Sequence, residues 1–388
     1  MDIEAVIGAN YGDEGKGLVT DWLARTCPKP IVACINGGSQ RGHTVNSPEH
    51  GKHVFHHFGS GTLAGAPTYF MPSFLLNPMQ FVKEYGELKE LGCTPVSFRS
   101  PRCYIQLPGD IATNWQLERS RGENKHGSVG CGIWETVYRI KHYSRVDGGH
   151  RAVTFEEFAA MPYVRKVKFI KDNAKAFMAH RLAEEGVKPD FSLLDIFISD
   201  GFINHFIQDT MFMEKHCTKM DVDQLGKLFQ TLICENGQGL MLDQRYALED
   251  ADHSTPSYTG TIAIAKLIRQ SNIKVSSLRC NYVSRTYLTR HGEGRFNDEH
   301  GMTFDDPTNV SNEWQGKLRF GELDYISLAK RIAVDQDMFS RTAGKEFDPL
   351  MKVRTIFTHC NEVVPKASEL GAYDLVSSSD TADSIVQA

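Results

Sequence analysis

No stretch of this chain approaches the roughly 20 unbroken apolar residues that a membrane helix needs. The nearest, "SLLDIFISDGFINHFI", is interrupted by two aspartates, an asparagine and a histidine. A basic excess is missing too. The 43 lysines and arginines stand against 48 acidic residues, for a net charge of −5 and a pI near 6.3, so no nucleic-acid-binding face is expected. The nine cysteines form no CxxC pair and no ligand-like spacing, which argues against structural zinc and disulfides. Cysteines scattered in this way act as small buried hydrophobes in a reducing compartment, so a cytoplasmic protein is expected. "MDIEAVIGAN" lacks the positive n-region and cleavage site of a signal peptide, and none is expected. Repeats, low-complexity tracts and linkers are also lacking, so residues 1–388 are expected to form one domain.

What is present reads as a large α/β protein. The 388 residues are 41% apolar and 23% charged, ordinary for a globular chain and enough for a sizeable core. Short apolar runs end in glycine-bearing loops: "AVIG" (5–8), "IVACINGG" (31–38), "TLICENGQG" (231–239) and "NYVSRTYLTRHGEG" (281–294), with "VRTIFTHCN" (353–361) running on without one. Continuous runs without alternation suit strands covered on both faces, as in a mostly parallel sheet. Helix-like segments lie between them, among them "KGLVTDWLART" (16–26) and "DYISLAKRIAVDQDM" (324–338). Strand, glycine loop and helix make a βα unit, and ligands of such folds collect at the C-terminal strand ends. Residues 80–225, rich in helix formers and charge, are expected as a helical insertion. The serine-rich tail "VSSSDTADSIVQA" reads as a frayed end.

The segment "GANYGDEGKG" (8–17) is the first with chemistry in it. A Walker A loop is excluded, because Asn10 stands six positions before Lys16 and Gly17 replaces the Ser or Thr that holds magnesium. Gly12, Gly15 and Gly17 still allow backbone amides to face a phosphate at the start of a helix, with Lys16 adding a point charge. Asp13 has three possible tasks: to hold Mg²⁺, to take a proton from a substrate, or to cap the helix. Helix capping is the commonest fate of such an aspartate. A second glycine loop, "GGSQRGHTV", weakens that option by bringing His43 to a neighbouring strand end. An acid and an imidazole so placed form a plausible pair for proton transfer and phosphoryl stabilisation.

Five motifs in order resemble the adenylosuccinate synthetase family. "GANYGDEGKGLVTDWLA" is similar to its Gly-x-x-Trp-Gly-Asp-Glu-Gly-Lys-Gly signature, with Tyr11 for tryptophan. "GGSQRGHT" resembles Gly-Gly-x-Asn-Ala-Gly-His-Thr, with Gln40 and Arg41 in place of Asn-Ala. "HHFGSG" (56–61), "CENGQGLMLD" (234–243) and "TRHGEGRF" (289–296) resemble His-x-x-Pro-Ser-Gly, Glu-Gly-Ala-Gln-Gly-x-x-Leu-Asp and Thr-Arg-Val-Gly-x-Gly-Pro-Phe. The likeness covers 1–65, 127–145 and 231–324, and thins towards the C-terminus.

The resemblance implies a carbon–nitrogen ligase that joins L-aspartate to C6 of a 6-oxopurine nucleotide at the expense of a nucleoside triphosphate. It implies Asp13 as the base that takes the N1 proton, with His43 and Lys16 on the transferring phosphoryl group. Asp13 and the Gly42 carbonyl are implied as Mg²⁺ ligands. Gly12, Glu14, Gly15, Gly17 and Gln40 would meet nucleotide or phosphate, as would Ser128, Gly130, Gln238 and Thr255. Arg145 stands near an arginine that reaches into a partner subunit's site, so a homodimer is implied, though a solvated surface arginine is an equal alternative. Gly316, Lys317 and Arg319 match part of the aspartate-binding loop.

Departures bear on the substrates. Where the family reads guanine with Thr-Lys-x-Asp, this chain has Thr358, His359, Cys360 and Asn361, and Ser378 lies where the family has Gly-Pro-Asp-Arg. Loss of the bidentate carboxylate favours ATP or dATP as phosphate donor. These features resemble the viral branch, which makes 2-aminoadenylosuccinate from dGMP for phages with 2-aminoadenine in their DNA. The alternatives are a cellular-type enzyme acting on IMP, and a nucleotide-binding NTPase or kinase without ligase activity. No nucleic-acid or membrane partner is expected.

Overall fold

The computed structural model describes residues 1–122, 130–143, 151–246, 253–255, 257–292, 294–296, 299–304, 317–366 and 373–388. Its strands are β1 (Asp2–Gly8), β2 (Pro30–Cys34), β3 (His43–Ser47), β4 (Gly51–Phe55), β5 (Thr68–Phe70), β6 (Ser97–Arg99) and β7 (Cys217–Lys219), then β8 (Thr231–Glu235), β9 (Ser277–Arg285), β10 (Leu288–His291), β11 (Leu318–Gly321), β12 (Met351–Thr358), β13 (Leu375–Ser377) and β14 (Ile385–Gln387). The helices are α1 (Lys16–Thr26), α2 (Pro78–Glu90), α3 (Pro108–Arg121), α4 (Ile133–Tyr143), α5 (Phe155–Ala159), α6 (Tyr163–Glu184), α7 (Ser192–Asp195), α8 (Asp200–His216), α9 (Leu225–Leu228), α10 (Ile262–Gln270) and α11 (Tyr325–Ala343).

Ten strands form one sheet in the order β14-β13-β12-β9-β1-β8-β2-β5-β6-β7. All neighbours pair parallel except β14, which closes the edge antiparallel to β13. Two hairpins, β3–β4 and β10–β11, stand outside it. The run β12-β9-β1-β8-β2 is central, so the C-terminal ends at Thr358, Arg285, Gly8, Glu235 and Cys34 open side by side along one edge.

The apolar runs are continuous because both faces of these strands are covered. Ile3, Ala5 and Ile7 of β1 share a core with Ile31, Ala33, Leu232 and Cys234, beneath α10 and α11. Val6 points the other way, joining Val32, Ile233, Val283 and Ile356 against Leu18, Val19 and Leu23 of α1. A phenylalanine-rich core holds α2, α5 and α8 to the β3–β4 side, with His57 enclosed by Phe70, Phe74 and Phe81. Burial among those rings pushes the His57 imidazole well below its ordinary value, so it is neutral. α11 starts where the sequence signals a cap: Asp324 accepts from the amides of Ile326 at 2.9 Å and Ser327 at 3.2 Å.

The stretch 80–225 carries most of α2 and all of α3 to α8, and also β6 and β7, which extend the sheet beyond β5. The tail differs from its composition. Instead of fraying, it adds β13 to β12 and folds back as β14. All nine cysteines are free thiols, six of them buried.

Candidate active site

A cavity of 1460 Å³ opens at the C-terminal edge of the central strands. Its wall includes Gly12, Asp13, Glu14, Gly15, Lys16 and Gly17 from the β1–α1 loop, and Gln40, Gly42 and His43 from the segment after β2. The segment after β8 adds Gln238 and Thr255, and the far edge adds Asn361 and Ser378. Thirteen separate predicted positions thus share one space.

The β1–α1 loop is built to leave donors open. Gly15 takes the N-cap position of α1 at φ 91°, and no side chain caps the helix. Asp13, the obvious capping candidate, turns away. Its carboxylate pairs with His291, Oδ2 to Nε2 at 2.9 Å. Glu14 turns back into the loop, accepting from the amides of Asn10 and Gly12 at 2.9 Å each and from Lys16 Nζ at 3.0 Å. The first-turn amides of α1 therefore keep the unsatisfied donors that attract anions. Gly17 is needed for packing, since a Cβ there would lie 2.7 Å from the Thr44 carbonyl of β3. That close approach seats α1 against the strand that begins with His43.

Asp13 is about a quarter exposed. Burial raises the pKa of its carboxyl, but the His291 hydrogen bond and charge, Arg285 and Lys16 outweigh that and hold it below its ordinary value. It is ionised at neutral pH. His43 is only 7% exposed and its Nδ1 lies 2.8 Å from Glu235 Oε1. Burial lowers the His43 pKa more than Glu235 raises it, so the ring is neutral, with Nδ1–H donating to the carboxylate. Glu235 is fully buried. Burial raises its pKa, yet Arg41 at 3.1 Å, His43 and Ser60 bring it down to about 2. Arg41 also donates to the carbonyls of His57 at 2.9 Å and Phe58. The chain Arg41–Glu235–His43 fixes the tautomer and leaves Nε2 of His43 uncommitted to Glu235.

Gln238 sits at φ 64°, and its Oε1 accepts from Ser257 at 2.7 Å and Thr255 at 3.1 Å. Among the described residues, five non-glycine residues have positive φ, and four of them, Asp13, Gln238, Tyr258 and His359, line this cavity. Such conformations cost about 1–3 kcal/mol each and gather where a site requires them. The Gln40 side-chain oxygen is buried with no hydrogen-bond partner among the described residues, an unsatisfied acceptor on a residue of the cavity wall. At the far edge, Cys360 N–H donates to the Ser377 carbonyl at 3.0 Å, bringing the segments of Asn361 and Ser378 together.

Other expected residues lie elsewhere. The Gly130 carbonyl accepts from Trp115 Nε1 at 2.7 Å and is not on the described cavity wall, although Cys131 and Gly132 are. Lys317 is exposed, and Arg319 donates to the Gly294 carbonyl at 3.0 Å while packing on Phe296. Neither lines the cavity. The wall carries Arg290 instead, opposite Arg319 in the β10–β11 register. Ser128, Arg145 and Gly316 fall outside the described residues. Sequence reasoning missed His291, Arg290, Glu235 and Arg41 as site residues, although each stands in a quoted motif; Arg285 stands in the quoted run 281–294, and Ser257 two positions after Thr255. The histidines of "GKHVFHHF" make no metal cluster: His53 faces Glu84 at 3.7 Å, His56 meets the Arg41 carbonyl and His57 accepts from the Asn77 amide.

Comparison with known proteins places this geometry. A family model described as adenylosuccinate synthetase matches residues 5–356. The chain is 26% identical over 345 residues to the adenylosuccinate synthetase of Borrelia turicatae, covering 87% of this chain and 75% of that one. It is 29% identical over 304 residues to that of Actinobacillus pleuropneumoniae, covering 76% and 64%. Among solved structures it superposes on fully ligated adenylosuccinate synthetase of Plasmodium falciparum with a TM-score of 0.68 at 15% identity, covering 100% of both chains. It also superposes on the succinoaminodeoxyadenylate synthetase of cyanophage S-2L, solved with dGMP and with dATP as an energy donor. That match has a TM-score of 0.60 at 13% identity and covers 100% of this chain and 95% of that one. No helix among the described residues is long and apolar enough to cross a membrane.

Proposed function

The chain belongs to the adenylosuccinate synthetase family of carbon–nitrogen ligases, and from that premise we propose that it joins L-aspartate to C6 of a 2-amino-6-oxopurine nucleotide, dGMP or GMP, with ATP or dATP as phosphate donor. The observation that carries the donor assignment is Asn361 on the cavity wall beside Ser378. An amide in place of the family's carboxylate cannot accept from both guanine N1–H and the 2-amine as an anion would, so a donor guanine leaves polar groups unpaired. The fold shared with a phage enzyme solved with dGMP and dATP is consistent with this assignment. A cellular-type reaction on IMP is the second reading, favoured by the names of the curated relatives.

The chemistry follows from the leaving group. A lactam oxygen at C6 leaves poorly, so it must first become a phosphate ester. The Asp13 carboxylate takes the N1 proton, the electron pair moves onto O6, and O6 attacks the γ-phosphorus as the β–γ bridging bond breaks and ADP departs. The aspartate amine then adds at C6, loses a proton, and phosphate leaves. Lys16 and the amides around Gly12, Gly15 and Gly17 hold phosphate oxygens. Glu14 contributes through its backbone, since its carboxylate oxygens are taken within the loop. His43 meets the transferring phosphoryl group with Nε2, where an arriving negative charge favours the protonated ring. Gln40 and Gln238, with Thr255 and Ser257, are the polar contacts for the purine nucleotide, and Arg290 is a cation for the aspartate carboxylates beside Lys317 and Arg319.

Mg²⁺ fits the residues present. An ionised, partly exposed carboxylate lies on the same cavity wall as Gly42, and one carboxylate with one backbone carbonyl is the sparse protein set that Mg²⁺ takes when phosphates and water complete its shell. Asp13 and Gly42 would hold it, and it would neutralise charge on the donor's β and γ oxygens. A cytoplasmic enzyme and a homodimer complete the proposal.

The test is a substrate matrix of dGMP, GMP and IMP against ATP, dATP and GTP, with and without aspartate. Aspartate-dependent phosphate release with dGMP and ATP, accompanied by the ultraviolet shift of N6 substitution, is the expected result. Turnover with IMP and GTP but not with dGMP and ATP would overturn the substrate assignment.

A further inference from the structure

β10 is stitched to the opening loop. Thr289 Oγ1 donates to the Gly12 carbonyl at 3.3 Å, the Arg290 guanidinium lies 4.8 Å from the Tyr11 ring centroid, and Arg285 at the end of β9 donates to the Asp13 carbonyl. These contacts hold the loop backbone. They do not orient the Asp13 side chain, which projects from a residue in the left-handed region at φ 56° and is flanked by Gly12. Among the described residues, the only polar group bonded to that carboxylate is His291 Nε2 at 2.9 Å. His291 is also a departure, since "TRHGEGRF" carries histidine where the family motif has valine. A valine side chain there could fill space, but it could not bond to Asp13.

We propose that His291 is a positioning residue: it holds one oxygen of the Asp13 carboxylate and so leaves the other presented to the purine edge. This rests on the assignment of Asp13 as the base. Proton abstraction demands a base within hydrogen-bond reach of N1–H, and a displacement of about 1 Å costs about 100-fold in rate. The imidazole is itself kept in place, because β10 pairs with β11 over His291↔Leu318 and Arg290↔Arg319. Base and positioner are thus set by two elements, the β1–α1 loop and β10, that meet only in the folded protein.

The experiment compares His291→Val, which restores the family residue, with His291→Gln, whose amide nitrogen can donate from a similar reach. His291→Val is expected to lower kcat about 10- to 100-fold. Its KM for the purine nucleotide should stay within about twofold, while His291→Gln recovers to within about threefold of the parent. Circular dichroism and thermal melting should match across all three. A His291→Val enzyme as fast as the parent, or a glutamine variant no better than valine, overturns the proposal. A second readout needs no turnover: in ¹⁵N-histidine spectra the bonded His291 Nε2 resonance is expected to move in Asp13→Ala, which removes the acceptor. If it does not move, the contact is refuted. If the parent shows no aspartate-dependent phosphate release with any purine nucleotide, the proposed function fails, whereas the spectrum still decides the contact.

Discussion

Asp13→Asn is expected to lower the ligation rate by about 10²–10⁴-fold, the range attributed to a positioned general base, while purine nucleotide binding measured by calorimetry remains. The loop around it should survive the change. Its backbone is set by Glu14 with the amides of Asn10 and Gly12, by Thr289 with the Gly12 carbonyl and by Thr358 Oγ1 with the Glu14 carbonyl at 2.8 Å. None of these bonds uses the Asp13 carboxylate. An asparagine can still accept from His291, but it cannot remove a proton from N1. Single-turnover kinetics with ATP and the purine nucleotide separates the two steps, because neither ADP nor a phosphorylated purine should form. Near-normal turnover would refute the role of Asp13 as base.

Glu235→Gln should have the largest effect on stability, about 3–5 kcal/mol, because it removes the partner of a buried cation. Glu235 is fully buried, with Arg41 at 3.1 Å, His43 at 2.8 Å and the Ser60 amide at 3.2 Å on its two oxygens. The glutamine would leave Arg41 charged in a site where only carbonyls and a thiol remain to it. The sign of the pH dependence follows from a depressed carboxyl. Its stabilising contribution is complete above the ordinary glutamate value of 4.5 and is lost as pH falls through the folded value of about 2. Melting curves between these limits should therefore fall more steeply with acid in the parent than in Glu235→Gln. Equal slopes would mean that Glu235 is not the ionised centre of this network. Combining Glu235→Gln with Arg41→Met should cost less than the sum of the single changes, since neither is then left unpaired.

Local signals made much of this protein legible. "KGLVTDWLART" becomes α1 with the same bounds, and each apolar run forms a strand of the central sheet, because burial on both faces leaves a local signature. The β5, β6 and β7 strands, three residues each, are too short for any periodicity to register. The tail misled for a different reason. Its serines suggest solvent, but Ser377 is fully buried where β13 meets β12, and that pairing depends on a distant partner rather than on local composition.

The site divides in the same way. The β1–α1 loop and His43 are local motifs, so their residues were legible. Glu235 beneath His43 and His291 beside Asp13 are brought in by strand order, with β8 and β9 flanking β1. Nothing near Asp13 in the sequence foretells its histidine. The arginines of the β10–β11 hairpin show the converse case. Arg319 has a motif match, yet it lies off the cavity wall, whereas Arg290, opposite it in the β10–β11 register, is on that wall. The positive φ of Gln238 likewise could not be read from a residue type that seldom adopts it.

The most direct measurement follows one atom. With a purine nucleotide carrying ¹⁸O at C6, ATP and aspartate, each released phosphate should contain one ¹⁸O, since O6 becomes a phosphate oxygen before it leaves. Unlabelled phosphate formed alongside the C6-substituted product, or phosphate formed without aspartate and without loss of label from the purine, would contradict the account.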